Sequence, residues 1–263
     1  MKKLLYLAIL TGMTTCTNEN QSGNDDPNNP PGPSAIGYSI VKSFPHDTSS
    51  YTQGLMIYKG ELYEGTGLEG KSKLMKLDLK SGKPIQKIDL DSQFFGEGIT
   101  ILNDTIYQLT YMNKVVFMYS LKDFKKLKEF SIPTEGWGIT TDGKELIVSD
   151  GTSNLNFYEP GTFAPLRTVS ITESGALVNN VNELEFINGY IYANKYQSNY
   201  ILKIDPVTGI VVGKADLSNL GEQVDAKYPF ADVMNGIAYD PDSKKIYITG
   251  KWWPELYEIQ FSQ

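Results

Sequence analysis

The phrase GEGIT at residues 96–100 returns as EGWGIT at residues 135–140, about forty positions further along the chain. Both copies keep glycine, isoleucine and threonine, whereas Glu97 in the first copy is matched by Trp137 in the second. A short apolar run, a turn and a second run follow each copy. A conserved frame around one variable position indicates a repeat fold, in which equivalent places carry different side chains.

Five segments of the chain share this pattern. Each opens with a polar or aromatic residue beside Gly or Glu, runs through a strand-like stretch to a turn, and continues in a second strand. Asn-Gly and Asp-Gly turns favour tight hairpins because both central residues tolerate positive φ. The segments are YTQGLMIYKGELYEGTG (51–67), FGEGITILNDTIYQLTY (95–111), EGWGITTDGKELIVSDG (135–151), VNELEFINGYIYANKYQ (181–197) and MNGIAYDPDSKKIYITGK (234–251).

The repeat predicts the architecture. Two further strands follow the hairpin in each of the first four units, whereas the fifth unit ends early, at WPELYEIQF (253–261). The isolated run YSIVKSF (38–44) supplies the strand that the fifth unit lacks. Four-stranded units at this period predict an all-β fold, a five-bladed β-propeller with four antiparallel strands per blade. The strand at about 38–44 joins the last blade and closes the ring, which removes an open sheet edge.

The N-terminal part of the chain predicts export. Residues 1–16, MKKLLYLAILTGMTTC, combine two lysines, an apolar run and small residues before Cys16, as signal sequences do. The leader resembles that of a bacterial lipoprotein, which implies lipidation of Cys16 and a membrane anchor facing the periplasm or cell surface. Plain secretion with an incidental cysteine is the alternative. Residues 17–36 are polar and predict a disordered tether, which leaves residues 37–263 for the propeller domain.

Composition excludes several classes of function. The formal charge is −7, from 24 Lys and Arg against 31 Asp and Glu, so we expect no nucleic-acid partner. The chain has one cysteine, Cys16, and one histidine, His46. These counts rule out intrachain disulfides, multi-cysteine metal sites and His-rich zinc catalysis. An enzyme with this composition works with carboxylates, lysine, amides, hydroxyls and aromatic rings.

The repeat also predicts where a site would form. In a propeller the first strand of each blade lines the central channel, so the variable residues of the five segments meet at one mouth. The second strands end on the same face and would bring Glu64, Ser149 and Asp150 there. Such a pocket suits a small ligand with an apolar body and a few polar groups. For each aromatic residue taken alone, packing between blades is the alternative. The expected members are Glu97, Lys251, Gln53, Asn182, Tyr51, Phe95, Tyr111, Trp137 and Tyr196.

Nine phrases, in order from about residue 46 to residue 259, resemble the plant and bacterial type of glutaminyl-peptide cyclotransferase (glutaminyl cyclase). The resemblance implies a five-bladed propeller and a metal-independent acyltransferase that needs no cofactor. It implies conversion of an N-terminal glutamine, on a peptide or protein, to pyroglutamate with release of ammonia. The phrases are YTQGL, LYEGTGLEGKSKL, GEGIT, EGWGIT, LIVSDGTSNL, NELEFINGYIYAN, IDPVTG, NGIAYD and TGKWWPELYEI.

The resemblance implies a role for each site residue. Glu97 would shuttle a proton between the attacking α-amine and the leaving group, while Asn182 and Lys251 would hold the γ-carbonyl oxygen and the anionic intermediate. Gln53 would bind substrate by hydrogen bonds. The aromatic residues implied to surround the substrate are Tyr51, Phe95, Tyr111, Trp137 and Tyr196. The chain departs from the family at three places, since Tyr51 replaces Phe, Tyr111 replaces Trp, and Lys195-Tyr196 replaces Trp.

Two other functions are compatible with such a propeller. One is a non-catalytic surface protein that binds a small ligand or a peptide N-terminus, although Glu97, Asn182 and Lys251 together favour the enzyme. The other is a calcium-dependent propeller hydrolase such as a lactonase, which needs several acidic and amide ligands around one ion. We expect a monomer with no metal in its reaction. The propeller axis admits a structural calcium ion held by carbonyl and carboxylate oxygens.

Overall fold

A computed structural model describes residues 32–262. The predicted leader with Cys16, and the predicted tether up to residue 31, lie outside the described residues. The strands are β1 (Ser34–Pro45), β2 (Thr52–Tyr58), β3 (Glu61–Thr66), β4 (Lys73–Leu77), β5 (Pro84–Asp89), β6 (Gly96–Leu102), β7 (Thr105–Thr110), β8 (Val115–Ser120), β9 (Lys126–Ser131), β10 (Ile139–Thr141), β11 (Leu146–Ser149), β12 (Asn154–Tyr158), β13 (Pro165–Ser170), β14 (Thr172–Glu173), β15 (Ala176–Leu177), β16 (Val181–Ile187), β17 (Tyr190–Lys195), β18 (Tyr200–Ile204), β19 (Val211–Asp216), β20 (Met234–Asp240), β21 (Lys245–Gly250) and β22 (Glu255–Ser262), with helix α1 (Ser218–Lys227) between β19 and β20.

These strands form antiparallel meanders. Three sheets have four strands each, β2 to β5, β6 to β9 and β10 to β13, and β14 pairs with β15 in a small hairpin. A larger sheet has eight strands in the order β16-β17-β18-β19-β1-β22-β21-β20. The predicted all-β class is confirmed. Within residues 32–262 no helix is both long and apolar enough to cross a membrane.

Strand β1 joins the two halves of the eight-stranded sheet. From Gly37 to Pro45 it pairs antiparallel with β22, as predicted for the strand at about 38–44. Its first three residues, 34–36, instead pair parallel with β19. These residues fall inside the segment predicted to be a disordered tether, so that boundary is corrected to residue 34. The physical reason is that pairing with β19 satisfies backbone groups there.

The turn chemistry read from the sequence is present in the structure. Asn103 and Asp104 have φ of 50° and 57°, and Asn188 and Gly189 have φ of 50° and 88°. Both pairs connect the first two strands of their units. Positive φ at both central residues matches the twist of the flanking strands, which is why Asn, Asp and Gly occupy these positions.

The first strands of the five units contact one another in a closed cycle. Strand β2 contacts β6, β6 contacts β10, β10 contacts β16, β16 contacts β20, and β20 contacts β2. The repeated glycine makes this approach sterically feasible. A Cβ atom added to Gly98 would lie 2.7 Å from the carbonyl oxygen of Trp137 and 2.9 Å from the Cα of Gly138. The frame of the repeat therefore keeps glycine because neighbouring backbones come too close for a side chain.

The hydrophobic core lies between successive sheets rather than in one centre. Five buried clusters alternate with the five units, and the cluster between the first two units contains Leu74, Ile99 and Ile106. Burying each such side chain contributes roughly 1.5–3 kcal/mol. The helix α1, which the sequence analysis did not predict, buries Leu220 and Val224 in the cluster between the last two units.

Candidate active site

All nine residues predicted to form a site line one cavity. The cavity has a volume of about 150 Å³ and lies where the first strands of the units begin. Its lining consists of Tyr51, Gln53, Phe95, Glu97, Tyr111, Trp137, Asn182, Tyr196 and Lys251. The second strands contribute less than expected, because Glu64, Ser149 and Asp150 do not line the cavity. Ser149 instead ties the inner strands together, donating from Oγ to the carbonyl oxygen of Asn182 at 2.6 Å.

Three polar residues of the cavity, and the equivalent residue of the fifth unit, lie where the pairing register of a first strand shifts. The pairing register of the first strand shifts at residues 52–54, 96–99, 181–184 and 234–237. Gln53, Glu97, Asn182 and Asn235 lie inside these shifts. A bulge re-aims a side chain that a regular strand would direct elsewhere. In the third unit the regular strand begins only at Ile139, so Trp137 precedes it.

Glu97 is a buried carboxyl held in one orientation. Glu97 is 4% exposed, and Nε2 of Gln53 donates a hydrogen bond to its Oε1 at 3.0 Å. Asn235 donates to Oε1 of Gln53 at 3.2 Å, which leaves the Gln53 amide nitrogen to face Glu97. Burial raises the pKa of Glu97 well above its ordinary value, and the nearby positive charge of Lys251 opposes this. A carboxyl whose pKa is raised by burial is protonated more readily than an exposed one, so it can accept a proton and return it.

Lys251 is a buried ammonium held by aromatic rings. Its Nζ lies 4.5 Å from the ring centroid of Tyr51 and 5.1 Å from that of Tyr196. None of the ion pairs in residues 32–262 includes Lys251. Burial lowers the pKa of Lys251, and the carboxyl groups of Glu97 and Asp232 oppose this. Ring faces stabilise a cation without consuming its N–H donors, so these donors are available to a ligand oxygen.

Asn182 has an unsatisfied side chain. Its Oδ1 is buried and has no hydrogen-bond partner within the described part of the chain. A buried polar atom without a partner costs about 1–3 kcal/mol. A ligand that bonded to this amide would remove that cost, so the cavity is built for a polar group at this position.

Aromatic rings form the wall of the cavity. Phe95 packs edge-on against Tyr51 at 6.2 Å and lies 5.9 Å from Tyr111, while Trp137 and Tyr196 meet edge-on at 5.6 Å. The three tyrosines that depart from the family pattern thus remain part of the wall. Two of them, Tyr51 and Tyr196, also hold the lysine ammonium.

Four residues support the site from outside the predicted lining, and one of them, Asn235, was expected at the mouth of the channel. Asp232 accepts a hydrogen bond from the hydroxyl of Tyr51 at 3.3 Å, and Trp252 packs on the Tyr51 ring at 4.8 Å. Glu135 accepts from Nε1 of Trp137 at 3.1 Å. The fourth is Asn235, which orients Gln53. Asn235 occupies the variable position of the fifth segment, so the repeat held a signal for it, whereas Asp232 and Trp252 lie outside the repeated frame.

The acidic groups near the centre of the ring accept hydrogen bonds from backbone amides. Glu183 accepts hydrogen bonds from the backbone N–H of Leu55 at 3.1 Å and of Ile237 at 2.9 Å, and Glu185 accepts from Tyr239 at 2.8 Å. Backbone amides therefore engage both carboxyl oxygens of Glu183 and one of Glu185. Residues 32–262 contain no group of three or more His, Cys, Asp or Glu side chains placed to bind a metal ion.

Fold and site together define an all-β repeat protein with a small, buried acid–base centre. The sequence matches the family described as glutamine cyclotransferase over residues 6–261. It is 40% identical over 228 residues to the glutaminyl-peptide cyclotransferase of Arabidopsis thaliana, covering 85% of this chain and 71% of that protein. The structure also matches the crystal structure of Myxococcus xanthus glutaminyl cyclase, with a TM-score of 0.82 and 37% identity over 88% of this chain and 98% of that chain. The chain belongs to the glutamine cyclotransferase family.

Proposed function

We propose that the cavity around Glu97 cyclises an N-terminal glutamine of a peptide or protein to pyroglutamate and releases ammonia. The observation that carries this proposal is the convergence of Glu97, Lys251 and Asn182 on one small aromatic cavity. The two relatives named above are a glutaminyl-peptide cyclotransferase and a glutaminyl cyclase, which supports the same reaction.

In the proposed reaction, much of the rate enhancement comes from binding the glutamine in its reactive conformation. The reaction is intramolecular, so the enzyme mainly selects the bent conformer that brings the α-amine onto the γ-carbon. A cavity of about 150 Å³ walled by Phe95 and Trp137 restricts the glutamine side chain to few conformers. Gln53, which Asn235 holds in place, would orient the substrate by hydrogen bonds.

Lys251 and Asn182 would stabilise the negative charge that develops on the γ-carbonyl oxygen. As the neutral α-amine forms its bond to the γ-carbon, the carbonyl electron pair moves onto oxygen. The free N–H donors of Lys251 and Nδ2 of Asn182 would stabilise that oxyanion, while the unpaired Oδ1 of Asn182 would accept a hydrogen bond from a substrate N–H. Donors already aimed at the developing charge in a buried site lower the barrier without further reorganisation.

Glu97 would transfer the proton from the attacking amine to the leaving group. Its carboxylate takes the proton that the amine loses on attack, and then delivers it to the departing amide nitrogen. The carbon–nitrogen bond breaks, the carbonyl re-forms, and ammonia leaves. The raised pKa of Glu97 suits the first of these steps, because burial makes the carboxylate a stronger base toward the proton of the amine.

The finer architecture is also part of this proposal. We interpret the fold as a five-bladed propeller in which the eight-stranded sheet comprises two blades, β16 to β19 and β20, β21, β22 with β1. The closed cycle of five inner strands and the five core clusters between units support this interpretation. Strand β1 closes the ring at the last blade and reaches across to the edge of its neighbour.

Export and anchoring complete the proposal. We infer from the leader that the protein is exported, lipidated on Cys16, and held at a membrane surface as a monomer. Detergent partitioning of the wild type and of Cys16→Ser, each expressed as the full chain, tests the anchor. Equal partitioning of both proteins into the aqueous phase would contradict it.

The test of the activity is ammonia release from a dipeptide that begins with glutamine. Release well above the spontaneous rate, with formation of the pyroglutamyl product and no loss in excess chelator, is the expected result. Binding of the dipeptide without release would instead favour the non-catalytic ligand-binding function.

A further inference from the structure

The only histidine of the chain, His46, lies outside the catalytic cavity in a buried pair with Glu64. The two side chains are 2% and 0% exposed, and Nε2 of His46 lies 3.0 Å from Oε1 of Glu64. His46 belongs to the connection between β1 and β2, and Glu64 to β3. Neither residue lines the cavity, and the mechanism above uses neither of them.

The hydrogen-bond partners determine the protonation state of the pair. Nδ1 of His46 lies 2.6 Å from the carbonyl oxygen of Trp253, which has no proton to donate, so Nδ1 carries one. Glu64 receives a hydrogen bond from Oγ1 of Thr52 at 2.7 Å and one from Oγ of Ser50 at 3.3 Å. A carboxyl approached by donors on both oxygens is an acceptor, so Nε2 of His46 also carries a proton.

We propose that His46 is an imidazolium that, paired with Glu64, positions the two segments carrying Tyr51 and Lys251. His46 is then a positioning residue for the reaction proposed above, and this role depends on that reaction. The histidine contacts neither the substrate nor the reacting atoms. Its effect on turnover passes through the backbone on either side of the cavity.

The two segments are joined at several points around this pair. The N–H of His46 donates to the carbonyl oxygen of Pro254, and the N–H of Trp252 donates to that of Ser50, both at 2.8 Å. Tyr51 follows Ser50 directly, and Lys251 precedes Trp252. A shift of one segment against the other would therefore move the lysine ammonium relative to the tyrosine ring that holds it.

The segment that the pair secures is strained. Trp252 has φ of 60°, a left-handed conformation that a bulky residue adopts only when its surroundings enforce it. The contacts of His46 with Trp253 and Pro254 lie one and two residues further on. We infer that the buried ion pair maintains this conformation and, with it, the direction of the neighbouring Lys251 side chain.

The charges facing His46 support the imidazolium form. Burial lowers the pKa of the imidazole, but the carboxylate of Glu64, together with the carbonyl of Trp253 and the charge of Asp47, outweighs this effect and leaves the pKa raised. A basic group with a raised pKa stabilises the fold fully below its ordinary pKa of 6.5 and loses that contribution as the pH rises through the folded value.

The first test reads the protonation state directly and does not depend on activity. Because the wild-type protein has a single histidine, its imidazole nitrogens give one unambiguous pair of signals in nitrogen-15 NMR. We expect both nitrogens to be protonated at pH 7. A neutral tautomer at pH 7 in the folded protein would overturn the proposal.

The second test asks whether the pair positions the site. His46→Asn and His46→Gln each keep a donor near one of the two nitrogens but carry no charge, and Glu64→Gln removes the partner's charge. We expect each variant to lower kcat by about tenfold or more with KM changed less than threefold, after correction for the folded fraction. Glu61→Gln on the same strand is the matched control, because Glu61 is exposed and pairs only with Lys76 at 3.3 Å.

The outcomes separate this inference from the proposed function. Full kcat in folded His46→Gln and Glu64→Gln would refute the positioning role while leaving the cyclotransferase reaction intact. Absence of turnover in the wild type would refute the reaction, and the NMR result would still decide the charge of His46. If the variants fail to fold, the nitrogen-15 spectrum of the wild type at pH 7 still tests the imidazolium on which the positioning role depends, and a neutral tautomer would overturn that role.

Discussion

Replacement of Glu97 by glutamine isolates the proton transfer from everything else that the cavity does. Glutamine has nearly the same shape, and its carbonyl oxygen can still accept the hydrogen bond that Gln53 donates at 3.0 Å. No buried donor loses its partner, so the fold and the cavity should be unchanged. The variant lacks the ability to take up and return a proton, and the only other change is loss of the charge that opposes the lowered pKa of Lys251.

The expected loss follows from the composition of the cavity. Glu97 is the sole carboxyl among its lining residues, so no neighbouring acid can substitute for it. General acid–base catalysis typically contributes about 10²–10⁴-fold. With a single group serving both steps we expect a fall in kcat of about 10³-fold or more. That corresponds to roughly 4 kcal/mol of transition-state stabilisation, at about 1.36 kcal/mol per factor of ten.

The assay is continuous detection of ammonia from a glutamine-initiated dipeptide, with KM and kcat determined separately. KM should change less than threefold, since the variant keeps the contacts made to bound substrate. Glu61→Gln serves as the surface control and should match the wild type. A Glu97→Gln variant that retains more than a tenth of wild-type kcat would refute the assignment of Glu97 as the proton shuttle.

Three other predictions test the aromatic rings that hold Lys251, the repeated glycine of the inner strands, and the buried carboxyl of Glu185. Tyr51→Phe keeps the ring over Lys251 and should retain activity within about threefold. Tyr51→Leu should lose about 0.5–2 kcal/mol of cation–π stabilisation, which would appear as a lower kcat/KM. Equal activity of the two variants would contradict the role of the Tyr51 ring in holding Lys251. Gly98→Ala should cost about 1–3 kcal/mol in urea unfolding because the added methyl meets backbone atoms, while Gly161→Ala, which would meet only a flexible side chain, should cost far less. Burial raises the pKa of Glu185 to about 8, so the folded state holds a proton that the unfolded state releases, and stability falls as pH rises from about 4.5 through 8. The melting temperature of Glu185→Gln should therefore depend less steeply on pH between about 5 and 8, and an unchanged slope would contradict the buried acid.

The sequence alone determined the fold class and the members of the cavity. Both follow from the repeat, because side chains at equivalent positions of equivalent units must meet around a common axis. Glu97 and Trp137 could be placed side by side without any knowledge of their contacts. A glycine follows the variable residue in four of the five segments, the exception being Glu183 after Asn182. At Gly54, Gly98 and Gly138 the same geometry explains it, since a Cβ there would meet the backbone of the next inner strand.

Only the tertiary structure decided the state of the groups that carry the chemistry. The pairing of His46 with Glu64 and the ring faces around Lys251 involve partners from different units, and burial leaves Oδ1 of Asn182 without a partner. No local pattern encodes them, because a protonation state depends on burial and on charges that are distant in sequence. The start of β1 at Ser34 was also decided by tertiary structure. The polar sequence before it predicts disorder, but pairing with β19 supplies hydrogen-bond partners for the backbone of residues 34–36. A repeat places side chains, whereas burial and long-range contacts determine what those side chains can do.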